Sequence, residues 1–367
     1  MRIFTLGLST ALAIVAFAGV AAAERQRPKK IEIAFVLDTT GSMANLIDGA
    51  KKKILSVANT IVDINPNAEI KMGLVGYRDK GDDYVVKLHD MTDDLQGMYG
   101  DLLRFNADGG GDGPEAVNEA LDAAVADLKW SKSDDVRRIV FLVGDAPPHM
   151  DYRKGPKYQK VIAEARDAGI IVNAIQAGDD PETTEFWKDI AKRGDGQYYA
   201  IPQDGGQIEQ ISSPFDDEII QLQGRIDGTI ILYGAREKQA ETRSKLETKN
   251  AAPAATQVEN SKYYSKKMAS KEVITGGGDL LDDVRNNRRT VEDVKEDELP
   301  AELKGKSKDE LAKLVVERTA EREKLEAEMA ELVKKRDDYV VAERAKTPDS
   351  AEDSFDKQVE QGLASQF

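Results

Sequence analysis

The feature that most constrains this chain is an alternation of apolar runs and helical patterns between residues 31 and 201. Residues 31–37 form the strongest run, which is nearly continuous and rich in β-branched side chains. Such a run is typical of a strand that is buried on both faces of a parallel sheet. Parallel strands need crossover connections, and the segments between the runs carry apolar residues at helical spacing. The alternation therefore predicts a doubly wound α/β fold with a mostly parallel sheet.

The same patterns place the individual elements along the chain. Residues 84–88 follow a Gly-Asp-Asp turn and are predicted to form an antiparallel strand at the edge of the sheet. Pro114 suits the first turn of a helix, so one helix is predicted to start there. The other strands are predicted at residues 31–37, 70–77, 138–143, 170–175 and 197–201, and the other helices at 46–61, 93–105, 156–168 and 182–192.

The chain is long enough for one large domain and an accessory region. We expect the large domain at residues 30–225, a linker at 235–275, and a charged, mainly helical C-terminal region at 276–367. The Gly-Gly-Gly-Asp string at residues 276–279 has no preceding strand and is also interpreted as a linker. A long charged helix is predicted from residue 307 to about 344, followed by a loose tail that ends in a short helix.

The apolar residues of the long helix recur at alternating spacings of three and four, as in a coiled coil. Arg318, Arg322 and Arg336 occupy seam positions between them and interrupt the apolar stripe. Two arrangements therefore stay open, a coiled coil and a helical hairpin that packs on the main domain. The other charged residues of this helix are interpreted as a solvated face.

The first residues carry the pattern of an export signal at residues 1–23. Arg2 gives a positive start, residues 6–20 are apolar, and Ala21, Ala22 and Ala23 form a small-residue cleavage site. The apolar run is short for a membrane span, and an uncleaved membrane anchor is the alternative interpretation. No later segment is apolar enough to span a bilayer, so we expect a periplasmic or secreted protein without an integral membrane span after signal cleavage.

Charge and cysteine content exclude several classes of function. The formal charge of −15 becomes −16 when residues 1–23 are removed, because they contain Arg2 as their one charged residue. A chain this acidic is unsuited to binding nucleic acid through its phosphates. The sequence has no cysteine, which excludes disulfides, thiolate metal sites and thiol nucleophiles.

The candidate site follows the first predicted strand. Asp38, Thr40 and Ser42 alternate in a loop at the carboxyl edge of the sheet, where open α/β sheets bind their ligands. Carboxylate and hydroxyl oxygens are hard donors that suit Mg²⁺ or Mn²⁺. Gly41 gives the loop the freedom to turn these side chains toward one point.

A second acidic loop follows the strand predicted at residues 138–143. In a doubly wound sheet, Asp145 in this loop would end a strand next to that of Asp38. Two carboxylates about 5 Å apart repel by roughly 3 kcal/mol at an effective dielectric of about 20. A bound divalent cation would turn that repulsion into attraction.

Together these residues resemble the metal-ion-dependent adhesion site of von Willebrand factor A domains, over about residues 30–225. The shared features are Asp-x-Thr-x-Ser after the first strand, a Gly-Gly-rich loop before a helix, and Asp after the fourth strand. The resemblance implies a divalent cation, Mg²⁺ or else Mn²⁺ or Ca²⁺, held by Asp38, Thr40, Ser42 and Asp145. It also implies one coordination position left open for an acidic group of a protein partner. The loops around Arg78, the glycine run and Asp145 further resemble a bacterial and protist subgroup of the family, and the export signal points to its exported bacterial members.

The middle loop departs from the family pattern. Many members have Gly-Gly-Thr where this chain has Gly110-Gly111-Asp112. Asp112 is therefore a candidate ligand that replaces the threonine hydroxyl, directly or through water. A third carboxylate makes the site more negative and weakens its attraction for an acidic ligand.

Each motif also has a simpler interpretation. Ser42 fits the N-cap of the following helix, and the glycine run at residues 109–113 fits a flexible loop. His149 is expected to pack beside the Asp145 loop rather than to bind the metal, because carboxylates and hydroxyls already define a hard site.

The sequence favours a metal-dependent protein-binding module, acting in adhesion or as a scaffold, over an enzyme. One alternative is a phosphohydrolase that uses Asp38 as its nucleophile. Haloacid dehalogenase-like phosphatases commonly have a second Asp as general acid where this chain has Thr40, and threonine cannot serve in that role at neutral pH. The other alternative is a scaffold that binds partners through its helical region while the metal site is vestigial.

The export signal generates a prediction about the mature protein. Cleavage after Ala23 should leave Glu24 as the first residue, because the preceding alanines fit the site of signal peptidase. N-terminal sequencing of protein recovered from the native cell envelope or medium checks this. A sequence that begins at Met1 in that material would contradict it.

Overall fold

The computed structural model describes residues 28–45, 47–111, 113–201, 211–267, 272–273, 276–346 and 355–367. The predicted signal peptide at residues 1–23 and the candidate ligand Asp112 lie outside these residues. Among the described residues, no helix combines the length and apolar character needed to cross a membrane.

A six-stranded sheet in the order β3-β2-β1-β4-β5-β6 forms the centre of the fold. Its parallel strands are β1 (Lys30–Asp38), β2 (Glu69–Tyr77), β4 (Val136–Gly144), β5 (Ile170–Ala177) and β6 (Asp195–Ile201). Strand β3 (Val86–Thr92) pairs with β2 in the antiparallel sense. The predicted mostly parallel sheet with one antiparallel edge strand is therefore confirmed. Strand β1 lies beside β4, with Leu37 opposite Val143, so the loops after these two strands emerge next to each other.

Helices cover both faces of the sheet, as the predicted fold requires. They are α1 (Ile47–Ile64), α2 (Leu95–Leu103), α3 (Val117–Ala126), α4 (Tyr158–Asp167) and α5 (Pro181–Arg193). Side chains alternate along β1, so Ile33 and Phe35 face the core under α1 and α2. Ala34 and Val36 face the opposite core, under α3, α4 and α5.

The helix predicted to start at Pro114 begins three residues later, at Val117. Glu115 is instead extended and bridges to Pro148 in the loop after β4. Its amide donates to the Pro147 carbonyl at 2.9 Å, and the His149 amide donates to the Glu115 carbonyl at 3.1 Å. Pairing with a distant loop therefore displaces the helix start that the proline favoured.

The segment expected to be a linker is largely helical, so that interpretation is wrong for most of it. Beyond α6 (Asp216–Asp227), the chain forms α7 (Arg236–Ala251) and α8 (Ala254–Lys266). Helix α8 packs on α1 and α6. Val258 and Tyr263 are buried there, and Asn59 of α1 donates to a Glu259 carboxylate oxygen at 2.8 Å. Three of the five buried residues of α8 are polar, namely Thr256, Asn260 and Ser261, so the sequence shows no apolar stripe for this helix.

The long charged helix is α10 (Lys308–Arg344), and it starts at the capping box of Ser307 and Glu310. It packs on α6, α8 and the short α9 (Leu280–Arg285) of the same chain. Leu325, Met329 and Val333 form one core cluster with residues of α6 and α8. The sequence left open a coiled coil and a helical hairpin that packs on the main domain. In the structure, the apolar stripe of α10 is buried against helices of the same chain.

Arg322 interrupts the apolar stripe of α10 and is nevertheless only 1% exposed. Its Nη1 atom contacts Asp279 Oδ2 at 2.6 Å and Asp282 Oδ1 at 2.8 Å, and its Nε donates to Thr229 Oγ1 at 2.7 Å. Burial, with the neighbouring Asp279, raises the pKa of Asp282 to about 8, and Arg322 opposes this rise. The Gly-Gly-Gly-Asp string therefore ends in a buried ion-pair cluster, and its interpretation as a linker is wrong.

The last helix, α11 (Phe355–Gln366), packs on α1 and β6. Val359, Leu363 and Phe367 join the core cluster under α1. Gln366 donates to the buried Asn173 side chain at 2.8 Å. The predicted short helix near the end of the chain is thus present and packs on the main domain, while residues 347–354, predicted to form a loose tail, lie outside the described residues.

The buried cluster generates a prediction about stability. Arg322→Met should lower the free energy of unfolding by about 3–5 kcal/mol, because it leaves the buried Asp279 carboxylate without its cation and Asp282 with Arg285 alone. Arg318→Met on the same helix is the matched control, since the Arg318 side chain is 40% exposed and its loss should cost under about 1 kcal/mol. Urea unfolding followed by circular dichroism measures both. Equal effects of the two substitutions would contradict the assigned role of Arg322.

Candidate metal centre

The loop after β1 is organised by hydrogen bonds to the Asp38 carboxylate. Asp38 and Thr40 are both fully buried. Oδ1 of Asp38 accepts from the Thr40 amide at 2.9 Å and from the Thr40 hydroxyl at 2.6 Å. The two side chains therefore form a closed turn at the carboxyl end of the central strand.

Ser42 and Asp145 extend this arrangement across to the loop after β4. The Ser42 hydroxyl lies 3.0 Å from the Thr40 hydroxyl and donates to Asp145 Oδ1 at 2.9 Å. Ser42 belongs to a short 3₁₀ turn, Gly41–Asn45, rather than preceding a helix, so the N-cap interpretation does not describe it. Four of the five predicted site residues are thus joined in one chain of oxygen atoms, and Asp112 remains a prediction outside the described residues.

The glycine run packs closely on the first loop instead of extending freely into solvent. The Gly41 amide donates to the Gly109 carbonyl at 3.0 Å, and a Cβ at Gly41 would lie 2.9 Å from that carbonyl oxygen. Gly109 and Gly110 both have positive φ angles, 74° and 76°, which favour glycine. The Gly110 amide also donates to Asp82 Oδ2 at 2.9 Å.

Burial disfavours the charged forms of the carboxylates at this site. Burial, and then the neighbouring Asp145, raise the pKa of Asp38 to about 7. Oδ2 of Asp38 is buried without a hydrogen-bond partner, and the same is true of the nearby Tyr77 hydroxyl. The nearby Tyr77 hydroxyl lowers the pKa of Asp38, but its position relative to Oδ2 does not meet the geometry of a hydrogen bond. Burial also raises the pKa of Asp145, and its bond from Ser42 opposes this.

Glu115 is a further carboxylate at this site that sequence reasoning missed. It is 2% exposed, and its Oε2 atom has no hydrogen-bond partner. A Cβ on Gly110 would lie 3.0 Å from Glu115 Oε1 and 3.3 Å from the Thr40 Cβ, which places Glu115 beside the first loop. Burial, and then Asp38, raise its pKa to about 9. The sequence signal was an acidic residue next to the glycine run, but the helix predicted to start at Pro114 included this residue.

His149 packs beside the site, as predicted, and takes part in a separate polar cluster. Its Nδ1 atom lies 2.7 Å from Asp151 Oδ1, and its Nε2 atom lies 3.4 Å from Asp79 Oδ2. The Tyr152 ring stacks on the imidazole with 4.0 Å between centroids, and the Tyr152 hydroxyl donates to Asp79 Oδ1 at 2.6 Å. These contacts hold the imidazole in place within this cluster.

The donor set fits a hard divalent cation only if hydroxyls contribute. Among the described residues, no three His, Asp or Glu side chains are grouped closely enough to hold a metal ion by themselves. Asp38, Thr40, Ser42 and Asp145 together offer carboxylate and hydroxyl oxygens of the type that Mg²⁺ and Mn²⁺ prefer. The unpartnered Oδ2 atom of Asp38 is the observation that a cation would best account for.

The match to a known family covers the part of the chain that builds this site. The model of the von Willebrand factor A domain matches residues 32–209. The sheet and the helices in this matched part of the chain have the arrangement of a von Willebrand factor A domain. The match includes Asp38, Thr40, Ser42, Glu115 and Asp145, and it stops before the helices of the accessory region. No curated protein matches the chain significantly.

Several solved structures are distantly similar to part of this chain. Proximal thread matrix protein 1 from the mussel byssus is 15% identical over 48% of this chain and 43% of its own length, with a TM-score of 0.36. The SpRpn10 VWA domain is 15% identical over 50% of this chain and 95% of its own, with a TM-score of 0.38. The pilus adhesin SpaC from Lactobacillus rhamnosus GG is 16% identical over 49% of this chain and 29% of its own, with a TM-score of 0.34. The chain thus spans less than half of the mussel protein and of the adhesin, and no functional property transfers at such low similarity.

The buried carboxylates generate a prediction about pH dependence. An acid whose pKa rises from 3.8 to about 7 on folding binds more protons in the folded state between these pH values. In EDTA, the free energy of unfolding should therefore fall as the pH rises from 5 to 7, by at most about 1.4 kcal/mol per pH unit for one group. Asp38→Asn should flatten this fall, because the amide does not titrate.

Urea unfolding in EDTA at pH 5, 6 and 7 measures the slope. Asp134→Asn is the matched control, since Asp134 is exposed and lies outside the site. If the free energy of unfolding of Asp38→Asn changes with pH as steeply as that of wild type and of the control, Asp38 is not the group whose raised pKa causes the pH dependence.

Proposed function

We propose that the von Willebrand factor A domain is a metal-dependent protein-binding module of an exported protein. Asp38, Thr40, Ser42 and Asp145 would hold Mg²⁺ or a similar divalent cation at the carboxyl edge of the sheet. A bound cation would supply a coordination position for an oxygen donor of a protein partner. The observation that carries the proposal is the chain of oxygen atoms that links these side chains and leaves Asp38 Oδ2 buried without a partner.

The charge around the site favours one chemical type of donor group on the partner. Glu115 adds a buried carboxylate beside the glycine run, and Asp112 would add another. With Asp38 and Asp145 these groups exceed the charge of one divalent cation if all are ionised. A neutral donor such as an amide or hydroxyl oxygen therefore suits this site better than a carboxylate does.

The alternative as a phosphohydrolase has weaker support. Asp38 is fully buried and its Oδ1 atom is engaged by Thr40, whereas a nucleophile must reach its substrate. Thr40 still occupies the place where a general acid is needed. We therefore propose a module without enzymatic activity. A phosphatase assay in which wild type turns over its substrate and Asp38→Asn does not would overturn this proposal.

The metal proposal predicts a change in stability with Mg²⁺. A cation that binds only the folded state should raise the free energy of unfolding by about 2.7 kcal/mol at about 100 times its dissociation constant. Asp38→Asn should remove this increase while leaving the metal-free protein at least as stable as wild type at pH 7, because it removes a buried charge. Calorimetric titration and thermal unfolding with and without Mg²⁺ measure both effects.

Two variants complete this test. Ser42→Ala should weaken Mg²⁺ binding because it deletes one hydroxyl donor, and Asp134→Asn should leave binding unchanged because that side chain is exposed elsewhere. The metal site is disproved if wild type gives neither heat nor a thermal shift with Mg²⁺, Mn²⁺ or Ca²⁺.

Partner capture tests the binding function directly. Crosslinking and pull-down from the native envelope, with and without EDTA, should recover a partner with wild type in Mg²⁺ and lose it with Asp38→Asn or EDTA. Asp112→Thr should strengthen that capture, since it removes a charge and keeps an oxygen donor. Equal capture under all conditions would instead place the contact on the helical accessory region.

A further inference from the structure

A cavity of about 180 Å³ lies in the accessory region, between α6, α8, α10 and residues 272–273. Ile226, Tyr264, Val273 and Met329 line it with apolar surface. Its lining shares no residue with the candidate metal centre. Apolar cavities of roughly 150 Å³ accept a benzene-sized molecule, so this volume suits a small organic ligand.

Lys267 places a largely buried side chain with a cationic end at this cavity. The residue is 7% exposed and lines the cavity directly after the end of α8. Burial lowers its pKa, and the charges of Glu272, Asp93 and Glu69 oppose this effect. Among the described residues it forms no ion pair, and its aromatic neighbour is the Tyr263 ring, with the centroid 5.8 Å from the ammonium. Buried charges in proteins are normally paired, so this ammonium lacks an expected counterion.

The carboxylates that also line the cavity are already engaged. Glu272 pairs with Arg288 at 2.6 Å, and Glu326 pairs with Arg285 at 2.9 Å. Each of these acids thus has an arginine partner. Lys267 is the charged lining residue for which the described structure provides none.

A hydroxyl group at the cavity is also unsatisfied. Ser265 lines the cavity, and its Oγ atom is buried without a hydrogen-bond partner. Ser261, the other lining serine, differs because it donates to the Gln257 carbonyl at 2.8 Å. The cavity therefore combines one cation and one hydroxyl, both lacking partners, with an apolar wall.

We propose that this cavity binds a small monocarboxylic acid with an apolar body. The carboxylate would accept from Lys267 and Ser265, and the body would fill the space beside Ile226 and Met329. A single ammonium and one hydroxyl match one carboxylate better than a phosphate dianion, which calls for more donors. The apolar wall excludes a ligand that is polar throughout, because its polar groups would lose water without gaining partners.

Benzoate is a suitable probe, with benzyl alcohol and benzylamine as neutral and cationic analogues of similar size. Calorimetry or ligand-observed NMR on the full chain should show benzoate binding at least about tenfold tighter than either analogue. Lys267→Met should weaken benzoate binding by about tenfold or more, because it keeps the side-chain length and deletes the charge. Lys324→Met on the exposed side of α10 is the matched control and should bind as wild type does.

Two further measurements distinguish binding in this cavity from binding at the metal centre and from a loss of folding. EDTA and Asp38→Asn should leave benzoate binding unchanged, because the cavity does not use the metal centre. Ile226→Phe should abolish binding by filling the cavity while keeping Lys267, which covers the case in which Lys267→Met fails to fold. The proposal is overturned if folded wild type does not bind benzoate at millimolar concentration. It is equally overturned if benzyl alcohol binds as tightly, or if Ile226→Phe binds like wild type.

Discussion

The burial of the Asp38 carboxylate at the end of the central strand is the constraint on which this domain depends. A carboxylate that is fully enclosed by protein must be bound by donors or lose its charge. Thr40 supplies two donors, but one oxygen stays unpartnered and the pKa rises to about 7. The metal-free domain is therefore held in a costly arrangement, which a cation among the same oxygens would relieve.

The surrounding sequence serves to bring backbone and side chains close to this carboxylate. A Cβ at Gly144 would lie 2.3 Å from the Tyr77 hydroxyl and 3.1 Å from Asp38. Gly41 likewise lets the first loop meet the Gly109 carbonyl. These glycines are needed for close approach, so substitutions there would separate the loops that carry the candidate ligands.

The sheet was predictable because a buried parallel strand appears in the sequence as a continuous run of apolar residues. The run at residues 31–37 can be recognised without knowing which residues it contacts. Because this strand is predicted, the loop that follows it is also predicted to lie at the carboxyl edge of the sheet. Glu115 and Arg322 were not predictable, because their roles arise from contacts across the fold. Glu115 leaves the helical pattern to pair with the loop after β4, and Arg322 is buried only because Asp279 and Asp282 lie opposite it. A single sequence shows that such residues are charged without showing that they are enclosed.

Helix α1 links the candidate site to the rest of the chain. The site loop leads directly into α1, and that helix is held by α8 on one side and by α11 on another. Asn59 and Asp63 of α1 contact Glu259, Lys262 and Lys266 of α8, so polar as well as apolar contacts fix it. A helix fixed in this way leaves the Thr40 and Ser42 hydroxyls little freedom to move apart, which would reduce the entropy lost if the proposed cation binds there. Helices α8 and α11 therefore support the geometry of the candidate site, although they supply none of its candidate ligands.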